Sequence, residues 1–129
     1  LDHPIFAHAQ AFSKADLIVI CAPYWDYLFP ASLKTYIEHV CVRTLTFIYQ
    51  GSEPVGLCHA RDLAFFTTSG SAIGRDNWGG EYLRAVTGKL LGIQNFHQIS
   101  AEALDLPETN VAQALERAFR QAEALAETL

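Results

Sequence analysis

The sequence predicts an α/β protein with a doubly wound parallel sheet and helices on both faces. Two observations carry this prediction. Short apolar runs, typical of strands buried on both faces, alternate with stretches whose apolar residues recur at helical spacing. The connections between the runs are also long enough to contain a helix, as parallel pairing requires. The predicted order is helix, strand, helix, strand, helix, strand, helix.

Three strands are predicted. The first is Leu17–Ala22, an uninterrupted apolar run, the second is Asp62–Thr68, and the third and weakest is Phe96–Ser100. Consecutive apolar residues in a strand indicate burial on both faces of the sheet. We therefore expect side chains of the first strand, including the Cys21 thiol, to lie in the core.

Four helices are predicted from apolar residues that recur three, four and seven positions apart. One precedes the first strand, one follows Pro30, one follows Gly79-Gly80, and a clearly amphipathic one follows Pro107. Between the second helix and the second strand, Gln50–Pro54 is predicted to be a loop. In chain order, the apolar positions are Ile5, Phe6, Ala9 and Phe12, then Leu33, Tyr36, Ile37 and Val40, then Tyr82, Leu83, Val86 and Leu90, then Val111, Leu115, Phe119, Ala122 and Leu129.

The length of the chain predicts one domain, residues 1–129, since 129 residues suit a single compact core. Three parallel strands would leave the apolar first strand with a free edge. We therefore expect a partial domain that holds the C-terminal three strands of a larger sheet. The free edge is expected to be covered by another chain or by further residues.

The composition narrows the possible partners. Nine Lys and Arg against 14 Asp and Glu give a net charge of -5, whereas nucleic-acid binding needs clustered cations. The apolar runs fall short of the roughly 20 residues that span a bilayer. The three cysteines and five histidines lack metal-ligand spacing. We expect no nucleic acid, no membrane and no metal as partners, and mostly buried, reduced thiols in the cytoplasm.

Two segments follow predicted strand ends, where open α/β sheets bind ligands. Pro23–Pro30 contains four aromatic residues where a polar loop is usual, and Thr67–Gly74 is rich in hydroxyls and backbone donors. Aromatic side chains stack on the face of a planar ring, and small donors reach its edge. Together the segments predict a site for a flat heteroaromatic ring such as a flavin. Either segment alone is equally well explained by packing or by a turn.

These residues resemble a known family. Ala22–Glu38 is similar to the stretch after the third strand in flavodoxin-like NAD(P)H:quinone oxidoreductases and FMN-dependent NADH-azoreductases, and Thr67–Gly70 resembles their second flavin loop. Three further similarities follow the family's order along the chain. Thr46–Tyr49 and Pro54–Leu57 are similar to the family's connection to the fourth strand. Glu81–Arg84 is similar to its next helix, and Leu91–Ile93 to the residues that follow that helix.

The resemblance implies a flavodoxin-like fold, FMN as cofactor, and NADH or NADPH as hydride donor to a small quinone or azo compound. The residues expected to border or bind the isoalloxazine ring are Pro23, Tyr24, Trp25, Asp26 and Tyr27 in the first segment and Thr68, Ser69, Gly70 and Ser71 in the second. It also implies a homodimer that completes the flavin pocket. Phe47 and Tyr49 are expected near that contact, and the aromatic side chains expected to be exposed are Trp25, Tyr27, Phe29, Phe47 and Tyr49.

The sequence departs from the family pattern in two ways. The family's Ser-rich loop, which binds the FMN phosphate at a helix N-terminus, has no counterpart in these residues. The region Arg75–Trp78 lacks the histidine that quinone reductases use for proton transfer. No catalytic residue is therefore assigned. The alternative reading is a flavodoxin-like module without flavin that acts as an interaction or assembly domain.

Overall fold

A computed structural model describes residues 1–129, and its elements follow the predicted alternation. In chain order they are α1 (Ala7–Lys14), β1 (Leu17–Cys21), α2 (Ala31–Val40), β2 (Phe47–Gln50), β3 (Glu53–Gly56), β4 (Asp62–Thr68), α3 (Trp78–Ala85), β5 (Asn95–Ala101) and α4 (Val111–Thr128). A 3₁₀ turn, Pro4–Phe6, leads into α1, and a π-helical turn, Val86–Leu90, extends α3.

The central sheet is parallel and contains the three predicted strands in the order β1-β4-β5. Leu17 pairs with Asp62, and Asp62 pairs with Asn95. Since all three strands run in the same direction, their carboxyl ends lie along one edge. The predicted α/β class, the parallel sheet and the helices on both faces are thus confirmed.

One face of the sheet carries the main core. Ile18, Leu63 and Phe65 point from the strands to this face and are buried. Helices α1, α2 and α3 cover them with periodic apolar residues, as the helical spacing predicts. The helix residues in this cluster are Phe12, Ile37, Val40 and Leu83.

The opposite face is only partly covered, and here the prediction of two-sided burial for the first strand was wrong. Leu17, Val19 and Cys21 are exposed, Val19 to 55%. The reason is that α4 packs against β5 at the far side of the sheet and leaves β1 open. Alternate residues of β1 therefore face the core and the solvent, and the Cys21 thiol lies outside the core.

A β-hairpin replaces the loop predicted at Gln50–Pro54. Strands β2 and β3 are antiparallel, with Gln50 opposite Glu53, so only Gly51-Ser52 form the turn. The hairpin packs closely on the end of the π-helical turn, because a Cβ on Gly56 would lie 2.1 Å from the carbonyl carbon of Leu91. Phe47, predicted to be exposed, is buried by this packing, whereas Tyr49 is exposed as predicted.

The helix predictions are confirmed, with one changed boundary. α3 begins at Trp78, so Gly79 and Gly80 lie inside the helix. A Cβ on Gly79 would crowd the buried ring of Phe29, and one on Gly80 would meet Gln98 Oε1 at 2.2 Å. The two glycines therefore let α3 approach the sheet closely. None of the helices is both long and apolar enough to cross a membrane.

Candidate functional site

The carboxyl ends of β1 and β4 bring the two predicted segments side by side. The Ala22 N–H donates to Phe66 O at 3.0 Å, and the Tyr24 N–H donates to Thr68 O at 2.8 Å. Parallel pairing thus continues beyond β1 into the first segment. All the residues predicted to contact the ring consequently lie at one edge of the sheet, where this class of fold binds ligands.

The first segment makes a tight turn in a strained conformation. Trp25 and Leu28 exchange backbone hydrogen bonds, with N···O distances of 3.3 and 2.9 Å. Between them Asp26 has φ 51° and Tyr27 has φ 69°, both in the left-handed region. Turns with two left-handed residues normally contain glycine or asparagine, because a Cβ is disfavoured there. Such strain is concentrated at functional sites in proteins.

The turn presents a row of aromatic side chains to solvent. The Tyr27 ring lies 5.4 Å from the ring of Trp78, which the start of α3 supplies. Trp25, Tyr27 and Trp78 are 60%, 53% and 58% exposed, so their faces are available for stacking. Phe29, predicted to be exposed, is instead buried, and its ring centroid lies 5.9 Å from that of Tyr82. It belongs to the core and anchors the end of the turn there.

Tyr24 connects the first segment to the residues that follow the second. Its phenol donates a hydrogen bond to Asp76 O at 3.1 Å. Partial burial raises the pKa of Tyr24 above its ordinary value, and the nearby Asp76, Tyr27 and Glu102 raise it further. The phenol therefore keeps its proton, and its role as donor, throughout the neutral range.

The second segment is held by residues 101–105, which we call the strap. The strap approaches from the end of β5 and pairs with the backbone carbonyls of the segment. The three contacts are Leu104 N–H to Ser69 O at 3.0 Å, Asp105 N–H to Gly70 O at 3.0 Å, and Ala103 N–H to Ser71 O at 3.1 Å. Three successive carbonyls thus face the strap.

Three N–H groups are consequently left free on the other side of the segment. In a trans peptide the N–H points opposite to the preceding carbonyl, and the chain has no cis peptide bond. The N–H groups of Gly70, Ser71 and Ala72 therefore point away from the strap, and none of them donates to a protein acceptor. A run of free backbone donors is suited to the carbonyl and nitrogen acceptors along the edge of a polar ring.

Glu102 and Asp105 in the strap shape this segment, although neither was predicted from the sequence. Glu102 accepts hydrogen bonds from the Ile73 N–H at 2.9 Å and from Ser100 Oγ at 2.8 Å. The carboxylate of Asp105 lies where a side chain on residue 70 would project, since a Cβ on Gly70 would be 2.2 Å from Asp105 Oδ2. A side chain at position 70 would therefore displace the Asp105 carboxylate from its place over the segment.

Two clefts flank the aromatic turn. One, of about 440 Å³, lies between the strand ends and α4 and is lined by residues that include Pro23, Thr68 and Phe119. The other, of about 630 Å³, lies between the turn, α2 and α3, and its lining includes both Trp25 and Trp78. Both volumes fall within the range of small-molecule sites, about 300–1,000 Å³. No three metal-ligating side chains come together anywhere in the chain.

A family model described as a flavodoxin-like fold matches residues 2–126. An FMN-dependent NADH:quinone oxidoreductase 2 of Clostridium acetobutylicum is 36% identical over 126 residues, which cover 94% of this chain and 62% of that protein. An FMN-dependent NADH:quinone oxidoreductase of Clostridium perfringens is 35% identical over 129 residues, covering 97% and 64%. The chain thus spans less than two thirds of the length of these relatives.

The fold is similar to that of a solved FMN-dependent NADH-azoreductase from Bacillus anthracis, in complex with FMN. The TM-score is 0.85 at 23% identity, and the match covers 96% of this chain and 60% of the azoreductase. At this level of identity the likeness establishes the fold. The whole of the strand-end edge described above lies within the matched family region.

Proposed function

The chain belongs to the flavodoxin-like fold family, and we propose that it forms the ring-binding part of an FMN-dependent oxidoreductase that reduces quinones or azo compounds with NADH or NADPH. FMN, when bound, supplies hydride transfer in two steps between the nicotinamide and the acceptor. The polypeptide supplies the surface on which the ring is bound and oriented. The named activities of the Clostridium and Bacillus relatives support this proposal.

One observation carries the proposal. Three free N–H groups, those of Gly70, Ser71 and Ala72, follow β4, and the exposed aromatic turn follows β1, at the edge where these two paired strands end. A flat ring with a polar edge needs stacking on its face and donors at its rim. Donors aimed at that rim also stabilise negative charge that develops there during reduction.

Each segment has a distinct role in the proposed site. Residues 23–27 would border the ring, with Trp25 and Tyr27 excluding water from its face. Within residues 68–71 and the adjoining Ala72, the N–H groups of residues 70–72 and the Thr68 hydroxyl would hold its polar edge. Ser69, whose N–H donates to Ala101 O, would hold the segment in place. The N–H groups of Asp26 and Tyr27 also donate to no protein acceptor, so the strained turn adds two donors of its own.

Flavin titration of the 129-residue chain tests the proposal. We expect riboflavin and FMN to bind one per chain, measured by quenching of flavin fluorescence, and we expect Trp78→Ala to weaken both. Leu57→Ala is the control, since Leu57 is also exposed and follows the hairpin, outside the site. A flavin-loaded sample should then oxidise NADH in the presence of menadione. A chain that shows no flavin binding favours the alternative of an interaction module.

The proposed enzyme acts as a homodimer in the cytoplasm. The exposed aromatic rings of Trp25, Tyr49 and Trp78 support a contact with a second copy, since exposed apolar patches mark interfaces. Three cysteines without disulfides are typical of a reducing compartment. Light scattering over a dilution series should give a dimer or a larger species, and a stable monomer at micromolar concentration contradicts the assembly.

A further inference from the structure

The segment from Ser69 to Ile73 has one internal hydrogen bond, from Ser69 Oγ to Ser71 O at 2.6 Å, and is otherwise held mainly by the strap. The N–H groups at its two ends face the strap, since Ser69 donates to Ala101 O at 3.0 Å and Ile73 donates to Glu102 Oε2 at 2.9 Å. The three N–H groups between them point away. The strap's bonds to the carbonyls of Ser69, Gly70 and Ser71 set the direction of these free donors, and the bonds at Ser69 and Ile73 hold the two ends of the segment.

The two ends are held by different kinds of bond. At Ser69 the acceptor is a backbone carbonyl, which any residue supplies. At Ile73 the acceptor is the Glu102 side chain, whose second oxygen accepts from Ser100 Oγ at 2.8 Å. The carboxylate is therefore fixed by its own neighbour. A hydrogen bond to a carboxylate is stronger than one between neutral groups.

Ile73 gives this contact further weight. The Ile73 side chain is buried and fixes the residue, whereas the hydrogen bond from its N–H is only partly buried. Loss of the carboxylate leaves this N–H without its protein acceptor, so the Ala72–Ile73 peptide can rotate toward water. Such a rotation moves the adjoining Ser71–Ala72 peptide, which carries the free N–H of Ala72.

We propose that Glu102 is a positioning residue that, together with the backbone bonds of the strap, holds the N–H groups of residues 70–72 in their outward direction. It acts through Ile73 and the strap and does not itself contact the ring. The inference rests on the proposed function, because the importance of those donors follows from their assignment to the polar edge of a flavin. The orientation of the donors at that edge would then depend on a side chain, Glu102, that lies outside both sequence segments.

Three variants of the full chain test the proposal. Glu102→Ala removes the acceptor. Glu102→Gln retains the geometry, because its amide oxygen can accept from Ile73 while its NH₂ donates to Ser100 Oγ. Ser100→Ala removes one bond to the carboxylate but leaves the Ile73 contact. For each variant, amide hydrogen exchange at Ile73, the riboflavin dissociation constant and the thermal midpoint are measured.

We expect Glu102→Ala to accelerate exchange of the Ile73 amide about tenfold and to weaken riboflavin binding about tenfold, in the range for a lost hydrogen bond to a charged group. Glu102→Gln and Ser100→Ala should stay within about threefold of the wild type. A positioning role is supported if riboflavin affinity falls as the Ile73 exchange rate rises across the series. The thermal midpoints of the folded variants should change little.

The contrary outcomes are distinct. Unchanged Ile73 exchange in Glu102→Ala overturns the proposal, as does faster exchange with unchanged riboflavin affinity. If Glu102→Ala does not fold, Glu102→Gln decides, and a tenfold loss of riboflavin affinity with unaltered Ile73 exchange contradicts positioning through Ile73. A wild-type chain that binds no riboflavin overturns the proposed function, and Ile73 exchange still decides whether Glu102 orders the segment.

Discussion

The two segments of the site are held in opposite ways. The aromatic turn is closed by hydrogen bonds between Trp25 and Leu28, three residues apart, and it retains two left-handed residues. The segment after β4 has one local bond, from Ser69 Oγ to Ser71 O, and otherwise depends on the strap, with Ile73 and Glu102 29 residues apart. The conformation of the turn is therefore set by neighbouring residues and is strained. The conformation of the second segment is set mainly by residues distant in the sequence and is not strained. Substitutions should affect the two segments differently.

The largest effect is expected at Gly70. In Gly70→Ala the new Cβ would be 2.2 Å from Asp105 Oδ2 and 3.3 Å from Asp105 Cβ, so the Asp105 side chain must rotate and the strap must shift slightly. We expect a loss of about 1–3 kcal/mol in the free energy of unfolding, as for overpacking, measured by denaturant titration. Riboflavin affinity should fall as well.

Two controls separate the clash from a general effect of alanine. Adding Asp105→Ala to Gly70→Ala should recover most of the lost stability, because the clashing carboxylate is gone. Gly88→Ala should be neutral or slightly stabilising, since its nearest contact would be 3.6 Å away, at Ile93 O. A double variant no more stable than Gly70→Ala alone would show that Asp105 is not the cause.

The turn should respond in the opposite direction. Asp26→Gly removes the steric cost of a left-handed residue and should raise the free energy of unfolding by about 1 kcal/mol. Riboflavin should bind less tightly, because glycine leaves the turn less rigid. Asp26→Asn is the control, since asparagine also tolerates this conformation and should resemble the wild type. A destabilised Asp26→Gly would show that the turn is not strained.

A smaller effect is expected for the pair Tyr27 and Trp78. Aromatic pairs contribute about 0.5–1.5 kcal/mol beyond the area they bury, and the exposure of both rings places this pair at the lower end. A double-mutant cycle with Tyr27→Ala and Trp78→Ala should give a coupling free energy of about 0.5 kcal/mol. Strictly additive single variants would exclude a contact in solution.

The smallest effect concerns pH and Tyr24. Because its pKa is raised in the folded state, chiefly by burial, the unfolded chain loses this proton first as the pH rises. Stability is therefore fully present below pH 10 and declines above it. We expect Tyr24→Phe to lose less stability than the wild type between pH 9 and 11, measured by thermal denaturation. Identical pH profiles would contradict a raised pKa.

The sequence predicted the elements that depend on neighbouring residues. Helices α2 and α4 follow from apolar spacing, and the position of the turn follows from the proline and the aromatic residues after β1. The strap escaped prediction because Glu102 and Asp105 are isolated charges in a stretch without a motif, and their importance arises only when β5 brings them to residues 69–73. The sequence likewise does not show which side chain packs against Gly70.

The missed hairpin and the error in β1 have related causes. Gln50–Pro54 contains turn-forming residues, and the apolar residues on either side are too few to indicate strands without their pairing. For Leu17–Cys21, apolar residues on both faces predicted two-sided burial, but burial depends on which helix covers each face. α4 packs on β5, and the residues of β1 give no information about this contact between distant parts of the chain.

The central claim is that both segments form one ring-binding site, and a riboflavin titration followed by amide NMR tests it most directly. The account predicts that the amide signals of Asp26 and Tyr27 and those of residues 70–72 shift together and saturate with one dissociation constant. Signals of the hairpin, Phe47–Gly56, should remain in place. Shifts confined to one segment, different dissociation constants for the two, or no shifts in either would contradict it.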